Sequence, residues 1–452
     1  MMGAALSQPH AQPQVQAQAT ETTTRLLVDV SRTLEAGLHS GIQRVVRGLY
    51  RGALAQSAAY NISVHAVRCE GPHWIDVGAL PAHPLEQAAR PAGHASAQAG
   101  QRIRPRAGDT LLLADASWYL DPWPAVDSVL QAGGRLLGFV HDLLPMQQPD
   151  WFRADVAARF KQHLEAMSAR AEGLLVSSEH VAAQLRKLPG SCAPVSVIPL
   201  AGSLQQGPCP AEPQCEVAAL AQQAPFYLAV ATLEPRKNHA LILDAFSTLW
   251  REGYATQLVL VGAAGWCNEP LLQRIREHPA FGRRLHWLQG IADPHLVALY
   301  RSARALLYLP EDEGFGLPVL EARELGCPVV ASDIAPLREA GGDWPQYIQP
   351  GDPDALLRLL RQTEAAAPLS PQYTDQQYTD QHDTDRQYRA PADTLRDWRV
   401  VAAELLQTAG LSRRAVTMPG VESRLLAAGA RESTRDTPAA GNTLNHPGRR
   451  YG

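Results

Sequence analysis

Long apolar runs are missing from this chain. None approaches the roughly 20 residues that span a bilayer, so no transmembrane helix is expected. The opening "MMGAALSQPHAQPQVQAQATETTT" lacks a charged segment followed by an apolar one, which argues against a secretory signal. An excess of one charge is also missing. Lys and Arg number 41 against 45 Asp and Glu, a formal net charge of −4, and nothing global suggests a nucleic-acid partner. The six cysteines, Cys69, Cys192, Cys209, Cys215, Cys267 and Cys327, include no C-x-x-C pair, and no histidines accompany them at zinc spacing. They read as free thiols in a reducing cytoplasm. No G-x-G-x-x-G opens a helix with an acid about 20 residues on, which disfavours a nicotinamide dehydrogenase; "VGAAG" (261–265) is a weak glycine turn. No Asp-x-Asp stands in a strand-end loop to hold a metal, since Asp383-Thr384-Asp385 lies inside a low-complexity repeat.

The chain does have enough apolar residues, 45% of 452, for two cores, and at roughly 100–200 residues per domain its length suggests two domains. Residues 1–24 read as a disordered Gln/Ala/Pro tail. Short apolar runs then alternate with helical patterns: "RLLVDV" (25–30), "DTLLLAD" (109–115), "GRLLGFVHD" (134–142) and "GLLVSS" (173–178) read as strands. Between the first two, "SGIQRVVRGLYRGAL" puts Ile42, Val45, Val46, Leu49 and Tyr50 on one helical face, with Ser40 and Gln43 in capping-box positions. Residues 25–202 thus form a first α/β domain, and the polar, Pro-containing stretch 203–224 a connection. A second strand–helix series runs through "FYLAVAT", "QLVLVGAAG", "RLHWLQG", "RALLYLP" and "PVVASD", giving a second doubly wound domain over 225–365. Residues 366–393 hold a loose Gln/Tyr/Thr/Asp repeat, 394–410 a helix and 411–452 a polar tail.

In open parallel sheets, ligands bind outside the carboxyl ends of the strands. After "FYLAVAT" comes "LEPRKNH", where Arg236 and Lys237 stand together at a helix start. Two fixed cations and free helical N–H groups suit a phosphate; solvated charges at a helix start are the plainer reading. After "RALLYLP" comes "PEDEGFGLPVLEARELG" (310–326). Gly314 and Gly316 allow a tight turn, and Pro318 to Leu325 reads as a short helix stopped by Gly326 and Pro328. Glu313 precedes the turn and Glu321 lies early in the helix, so the two flank one pocket at an anion-attracting helix end. Carboxylates accept hydrogen bonds from hydroxyls, not from phosphates. A ligand with phosphates in the middle and hydroxyl-rich ends, a nucleotide sugar, fits both halves of the pocket. Glu324 reads as a helix-surface acid, and Glu311 and Asp312 as shaping or solvating the loop.

In the first domain, Gly41 opens a helix whose N–H groups can meet a diphosphate. Arg44, Arg47 and Arg51 fall on another face, either solvated or in contact with an anionic lipid-linked acceptor or membrane surface. His141 and Asp142 end a buried strand, a place for active-site groups and equally for structural ones. Ser178 reads as a helix cap. Asp115, Ser117 and Trp118 follow a strand end and can line an acceptor cleft.

The spacing Glu-x7-Glu around "EGFGLPVLEARELGCPVVASD", with "LEPRKNH", "VHDLLP", "LLVSSEHVAAQL", "SVIPL" and "SGIQRVVRGL", resembles the retaining glycosyltransferases of family 4, in the branch that builds bacterial surface polysaccharides. The resemblance covers most of residues 25–410. It implies the GT-B fold, two Rossmann-like domains facing across a cleft, and transfer of a hexose from a nucleoside-diphosphate sugar to a saccharide or lipid-linked acceptor. Mannose or rhamnose is the hexose that the branch suggests. It implies that Glu321 holds the donor ribose, Glu313 faces the transferred sugar, and backbone groups of Phe315, Gly316 and Leu317 approach sugar and phosphate. Lys237 would bind the phosphates, and His141 would sit beside the sugar with Asp142 orienting it or touching the acceptor. Many members carry an arginine five residues before that lysine; here the position is Thr232, and Arg236 is the substitute. Front-face attack assisted by the leaving phosphate would retain configuration, without a metal or other cofactor. Cytoplasmic location, with peripheral contact at the inner membrane, and no nucleic-acid partner complete the expectation. The alternative is a non-catalytic nucleotide-sugar-binding scaffold or sensor on a degenerate GT-B fold; the presence of both glutamates and Lys237 argues against it.

Overall fold

In the computed structural model, the residues described are 23–35, 40–81, 100–189, 193–204, 220, 225–365 and 396–413. The expected tail 1–24 falls outside them but for its last two residues, as do most of the connection 203–224, the whole of the repeat 366–393 and the chain after 413.

Apolar runs set the strands of the first sheet. Its elements are β1 (Thr24–Asp29), β2 (Ile62–Glu70), β3 (His73–Gly78), β4 (Gln101–Arg102), β5 (Thr110–Leu113), β6 (Arg135–Val140), β7 (Gly173–Val176) and β8 (Val195–Val197). Their order is β4-β3-β2-β1-β5-β6-β7-β8, parallel from β2 to β8, with β3 and β4 antiparallel at one edge. Successive residues of β1 feed opposite faces, as the pleat requires: Leu26 and Val28 join one buried cluster and Leu27 the other. The β2–β3 pair was not legible in the sequence. Its strand "ISVHAVRCE" mixes polar with apolar residues because only part of it is covered.

The second sheet comprises β9 (Phe226–Val230), β10 (Gln257–Val261), β11 (Leu285–Leu288), β12 (Ala305–Tyr308), β13 (Val329–Ser332) and β14 (Gln346–Ile348). It is fully parallel, in the order β11-β10-β9-β12-β13-β14. Strand order reverses between β9 and β12, so the helices leave these two strands toward opposite faces. The loops after them open a crevice at the carboxyl end of the sheet. Those two loops are "LEPRKNH" and "PEDEGFG". The two sheets make two Rossmann-like units, the α/β architecture expected.

The last described helix, Trp398–Thr408, returns to the first unit and packs along the helix Gly41–Tyr60. Val401, Ala402, Leu405 and Leu406 are buried in the cluster that holds Val45 and Leu49. Phe315, Leu317 and Leu320 of the second unit join that same cluster, so a single apolar contact carries the cleft wall of one unit onto the other.

Candidate active site

The crevice between β9 and β12 collects charge. Lys237 closes the turn Pro235–Lys237, and the helix His239–Arg251 follows after Asn238, which takes a left-handed conformation (φ 56). The Asn238 side-chain amide donates to the Leu309 carbonyl at 2.9 Å and to Glu311 Oε1 at 2.7 Å, tying the two loops together. Glu313 is thereby brought onto Lys237 Nζ in a direct ion pair. Tyr308, the last residue of β12, donates its hydroxyl to Glu313 Oε1 at 2.7 Å and accepts from Lys237 at 3.0 Å. Arg236 reaches Glu313 at 3.3 Å and Glu234 at 3.0 Å, and also donates to the Asp312 carbonyl at 3.2 Å.

These groups are buried, and their neighbours decide their charge. Burial alone would push the Glu313 carboxyl up, but Lys237 and Arg236 outweigh it and hold it at about 2. Glu313 is therefore an ionised acceptor, unsuited to donate a proton. Burial and the adjacent Arg236 lower the Lys237 ammonium, against the pull of Glu313. Burial opposes the charge on Arg236 as well, yet Glu313 and Glu234 raise it, so it stays a cation.

The loop then turns back against the first unit. Gly314 lies directly against it: an added Cβ would overlap the His141 carbonyl oxygen. Ser178 donates to the Gly314 carbonyl at 2.7 Å while capping the helix Glu179–Arg186 through Val181 N at 3.2 Å, as expected for a cap. Gly316 has φ 103, a conformation that side chains rarely adopt. The helix after it spans Leu317–Glu324, one residue earlier than the sequence suggests.

Glu321 lies in this helix, 1% exposed, and accepts from the Tyr300 hydroxyl at 2.9 Å. Its other oxygen pairs with Arg44 of the helix Gly41–Tyr60. The crevice thus holds two buried carboxylates from neighbouring segments, each with a tyrosine and a cation.

The sequence and the fold have known counterparts. Residues 212–378 match the family pattern of the glycosyl transferases group 1. Those residues are a group 1 glycosyl transferase domain. It is 30% identical over 357 residues to the serotype-specific mannosyltransferase WbdA of Escherichia coli, an alignment covering 75% of this chain and 41% of that protein. The chain thus spans about two fifths of the length of these curated relatives. The O-antigen chain mannosyltransferase B of Escherichia coli is 36% identical over 142 residues, 30% of this chain and 36% of its own. Among solved structures, Anabaena HepE in complex with UDP and glucose superposes with a TM-score of 0.55 at 16% identity, covering 86% of this chain and 99% of that one. Sucrose-phosphate synthase from Thermosynechococcus elongatus gives 0.51 at 19%, covering 75% and 89%. The fold is GT-B.

His141 follows β6 and faces the Gly314 turn. Its Nε2 lies 2.7 Å from the Ala114 carbonyl, which can only accept, so Nε2 carries a proton. Burial lowers the imidazole and keeps it neutral. Asp142 accepts from Leu144 N at 3.1 Å; the group bonded to His141 is the Ala114 carbonyl, so of the two roles that the resemblance implied for Asp142, orienting His141 is not the one seen. Burial raises the Asp142 carboxyl, with Arg236 working against it.

Several expectations change. Arg44 and Arg47 do not form a solvated face. Arg47 is 3% exposed, Arg44 pairs with Glu321, and Arg51 alone of the three is exposed. Arg47 is covered within its own unit, donating to the Pro81 and Thr33 carbonyls at 3.3 and 3.4 Å, whereas Arg44 is covered by the second unit. The Ser40–Gln43 capping box does not form: Ser40 makes no side-chain cap and bonds to the Gln43 side chain instead. Gly41 is exposed at the helix start. Glu324 is no plain surface acid, since it accepts from Gly202 N at 3.0 Å. Asp115 and Ser117 are buried beneath the cleft rather than lining it; Asp115 accepts from Thr33 N at 2.6 Å and Ser117 bonds Asp29. Trp118 is half-buried. Glu311 and Asp312 do shape the loop, Asp312 by accepting from Glu313 N at 2.7 Å. Sequence reasoning missed Tyr308 and Tyr300. The signal available for Tyr308 was its place at the carboxyl end of the strand "RALLYLP".

Proposed function

We propose that this glycosyltransferase moves a hexose, mannose first among candidates, from a nucleoside-diphosphate sugar to a hydroxyl of a growing saccharide or lipid-linked acceptor, with retention of configuration, in bacterial surface-polysaccharide synthesis. The observation that carries the reading is the meeting of Glu313 and Lys237 at the strand-order reversal, under the His141 end of the first sheet. Mannosyl transfer rests on the names of the relatives.

The leaving diphosphate gains negative charge as the glycosidic bond breaks. Lys237, Arg236 and the N-termini of the helices Gly41–Tyr60 and Leu317–Glu324 supply positive potential for it without a metal or other cofactor. Backbone N–H groups at Phe315, Gly316 and Leu317 belong to the same anion-facing turn. Glu313, ionised, accepts from hydroxyls of the transferred sugar and orients it, while Glu321 takes the ribose hydroxyls. Neutral His141 offers a hydrogen-bonding group next to the sugar. The acceptor hydroxyl attacks from the face the diphosphate leaves, and that diphosphate takes the proton. Work in the cytoplasm belongs to this reading. Peripheral membrane contact draws no support from Arg44, which pairs with Glu321, or from Arg47, which is buried; among the described residues no helix is long and apolar enough to cross a membrane.

The test is a transfer assay over UDP-, GDP- and dTDP-sugars with saccharide acceptors, in the presence of a chelator. One donor should support transfer with anomeric retention, and Glu313→Ala and Lys237→Ala should each lower the rate by about 100-fold or more while the protein stays folded. Donor binding without turnover across acceptors, or full activity in either variant, overturns the reading.

A further inference from the structure

The cation on Glu321 comes from the opposite side of the cleft. Arg44 lies in the first turn of the Gly41–Tyr60 helix, and its guanidinium pairs with Glu321 Oε1 of the second unit. Tyr300 holds the other carboxylate oxygen. Beside this pair is a cavity of about 310 Å³, with Arg44, Arg47, Gly202, Asp293, Glu321 and Trp398 in its wall. A ligand in this cavity meets Arg44 and Glu321 in the same wall.

We propose that Arg44 is a positioning residue for the donor: by pairing with Glu321 across the cleft it keeps that buried carboxylate an acceptor for ribose hydroxyls. This rests on the reading of Glu321 as the ribose-holding group. The physical need is plain. A carboxylate 1% exposed loses its hydration, and burial drives it toward the neutral acid. A neutral acid would present a donor and a weaker acceptor to a diol that needs two acceptors. Arg44 is the cation that opposes burial at Glu321. The Tyr300 hydroxyl helps ionisation by donating, whereas Asp293 and the nearby Glu324 work against it. Arg47, Arg51, Asp397 and Arg399 also face the cavity, and the phosphates of a bound nucleotide would add negative charge. Because the pair joins two units, ribose binding also becomes dependent on their juxtaposition.

The experiment measures Kd by calorimetry on the full chain for the tighter of UDP and GDP, both of which carry the ribose diol. The same nucleotide without its ribose hydroxyls serves as control, from about pH 6 to pH 9. The control removes the titration of the phosphates from the comparison. Wild-type protein should prefer the hydroxylated nucleotide by about tenfold. In Arg44→Met that preference should vanish at the acid end and return as pH rises, and Arg44→Lys should restore it at lower pH. In turnover the Arg44→Met loss should fall on the donor KM rather than kcat. Equal weakening of both nucleotides, or loss of preference at every pH, overturns the proposal. Should Arg44→Met fail to fold, Arg44→Lys against wild type decides: its preference must fall away at a higher pH than in wild type, and an unshifted profile counts against the proposal. Glu321→Gln separates the two levels: if it keeps the wild-type preference, the reading of Glu321 fails, whereas if it loses the preference and Arg44→Met does not, only the role of Arg44 fails.

Discussion

Glu313 and Lys237 put opposite charges into one buried space, and neither is comfortable there alone. Removing one partner of a buried pair strands the other, at a cost of about 3–5 kcal/mol, whereas removing both is far milder. Glu313→Gln and Lys237→Met should therefore each destabilise strongly in urea unfolding, and the double variant should cost less than their sum. The carboxyl carries a pH signature as well. Its folded value, about 2, lies below the ordinary 4.5. The stabilisation it gives is complete above the ordinary value and is lost as pH falls through about 2. The stability difference between wild type and Glu313→Gln should thus shrink on acidification below the ordinary value. A difference that stays constant would mean that the pair does not hold Glu313 ionised. At this scale the motif was legible, because charged residues at strand ends beside glycines have few structural uses. Tyr308 was not, since a tyrosine closing an apolar strand also reads as core.

Elements place these residues by contact as much as by their own propensity. The loop after β12 reaches the His141 carbonyl only because Gly314 has no side chain. Gly314→Ala must push the loop away by about the size of a methyl group, and misplacement on that scale costs about 100-fold in rate. Sugar transfer should fall accordingly while far-ultraviolet circular dichroism is unchanged; retained transfer would show that the close approach is dispensable. The helix Trp398–Thr408 buries Leu405 to 1% exposure against the Gly41–Tyr60 helix. Leu405→Ala should cost about 2–5 kcal/mol in denaturant unfolding, as for a core leucine. A surface-like change below about 0.5 kcal/mol would contradict that packing. The amphipathic pattern of this helix was readable, but its partner, more than 300 residues away in the chain, was not.

Across the whole molecule, the two units are joined by polar contacts, some exposed and some part-buried. Glu339 accepts from Glu179 N and His180 N at 2.7 and 2.9 Å, and Glu324 accepts from Gly202 N. Burial raises the Glu324 carboxyl from 4.5 to about 7, with the Gly202 N–H working against the rise. The folded state therefore binds this proton more tightly than the unfolded chain. The resulting stabilisation is complete below 4.5 and is lost as pH rises through about 7. Glu324→Gln, which keeps an acceptor for Gly202, should flatten the decline in melting temperature over that window. An unchanged slope would assign the decline to other groups, such as Asp29, which burial and Asp115 raise to about 7.

The sequence by itself determined the strand–helix alternation, the two α/β units and the loops in which glutamates, lysine and glycines collect. These are consequences of local periodicity and of residue types with few alternative uses. Tertiary structure decided which charges meet. Arg44 looked like one of three surface arginines because helical spacing reports a face, not what covers it. Only the approach of the second unit turned that face into the wall of a cavity and Arg44 into the partner of Glu321. The same holds for Asp115 and Glu324, whose carboxyls are shifted by burial that long-range packing creates. Charge state in a buried site depends on dielectric and neighbours, and both are properties of the assembled fold.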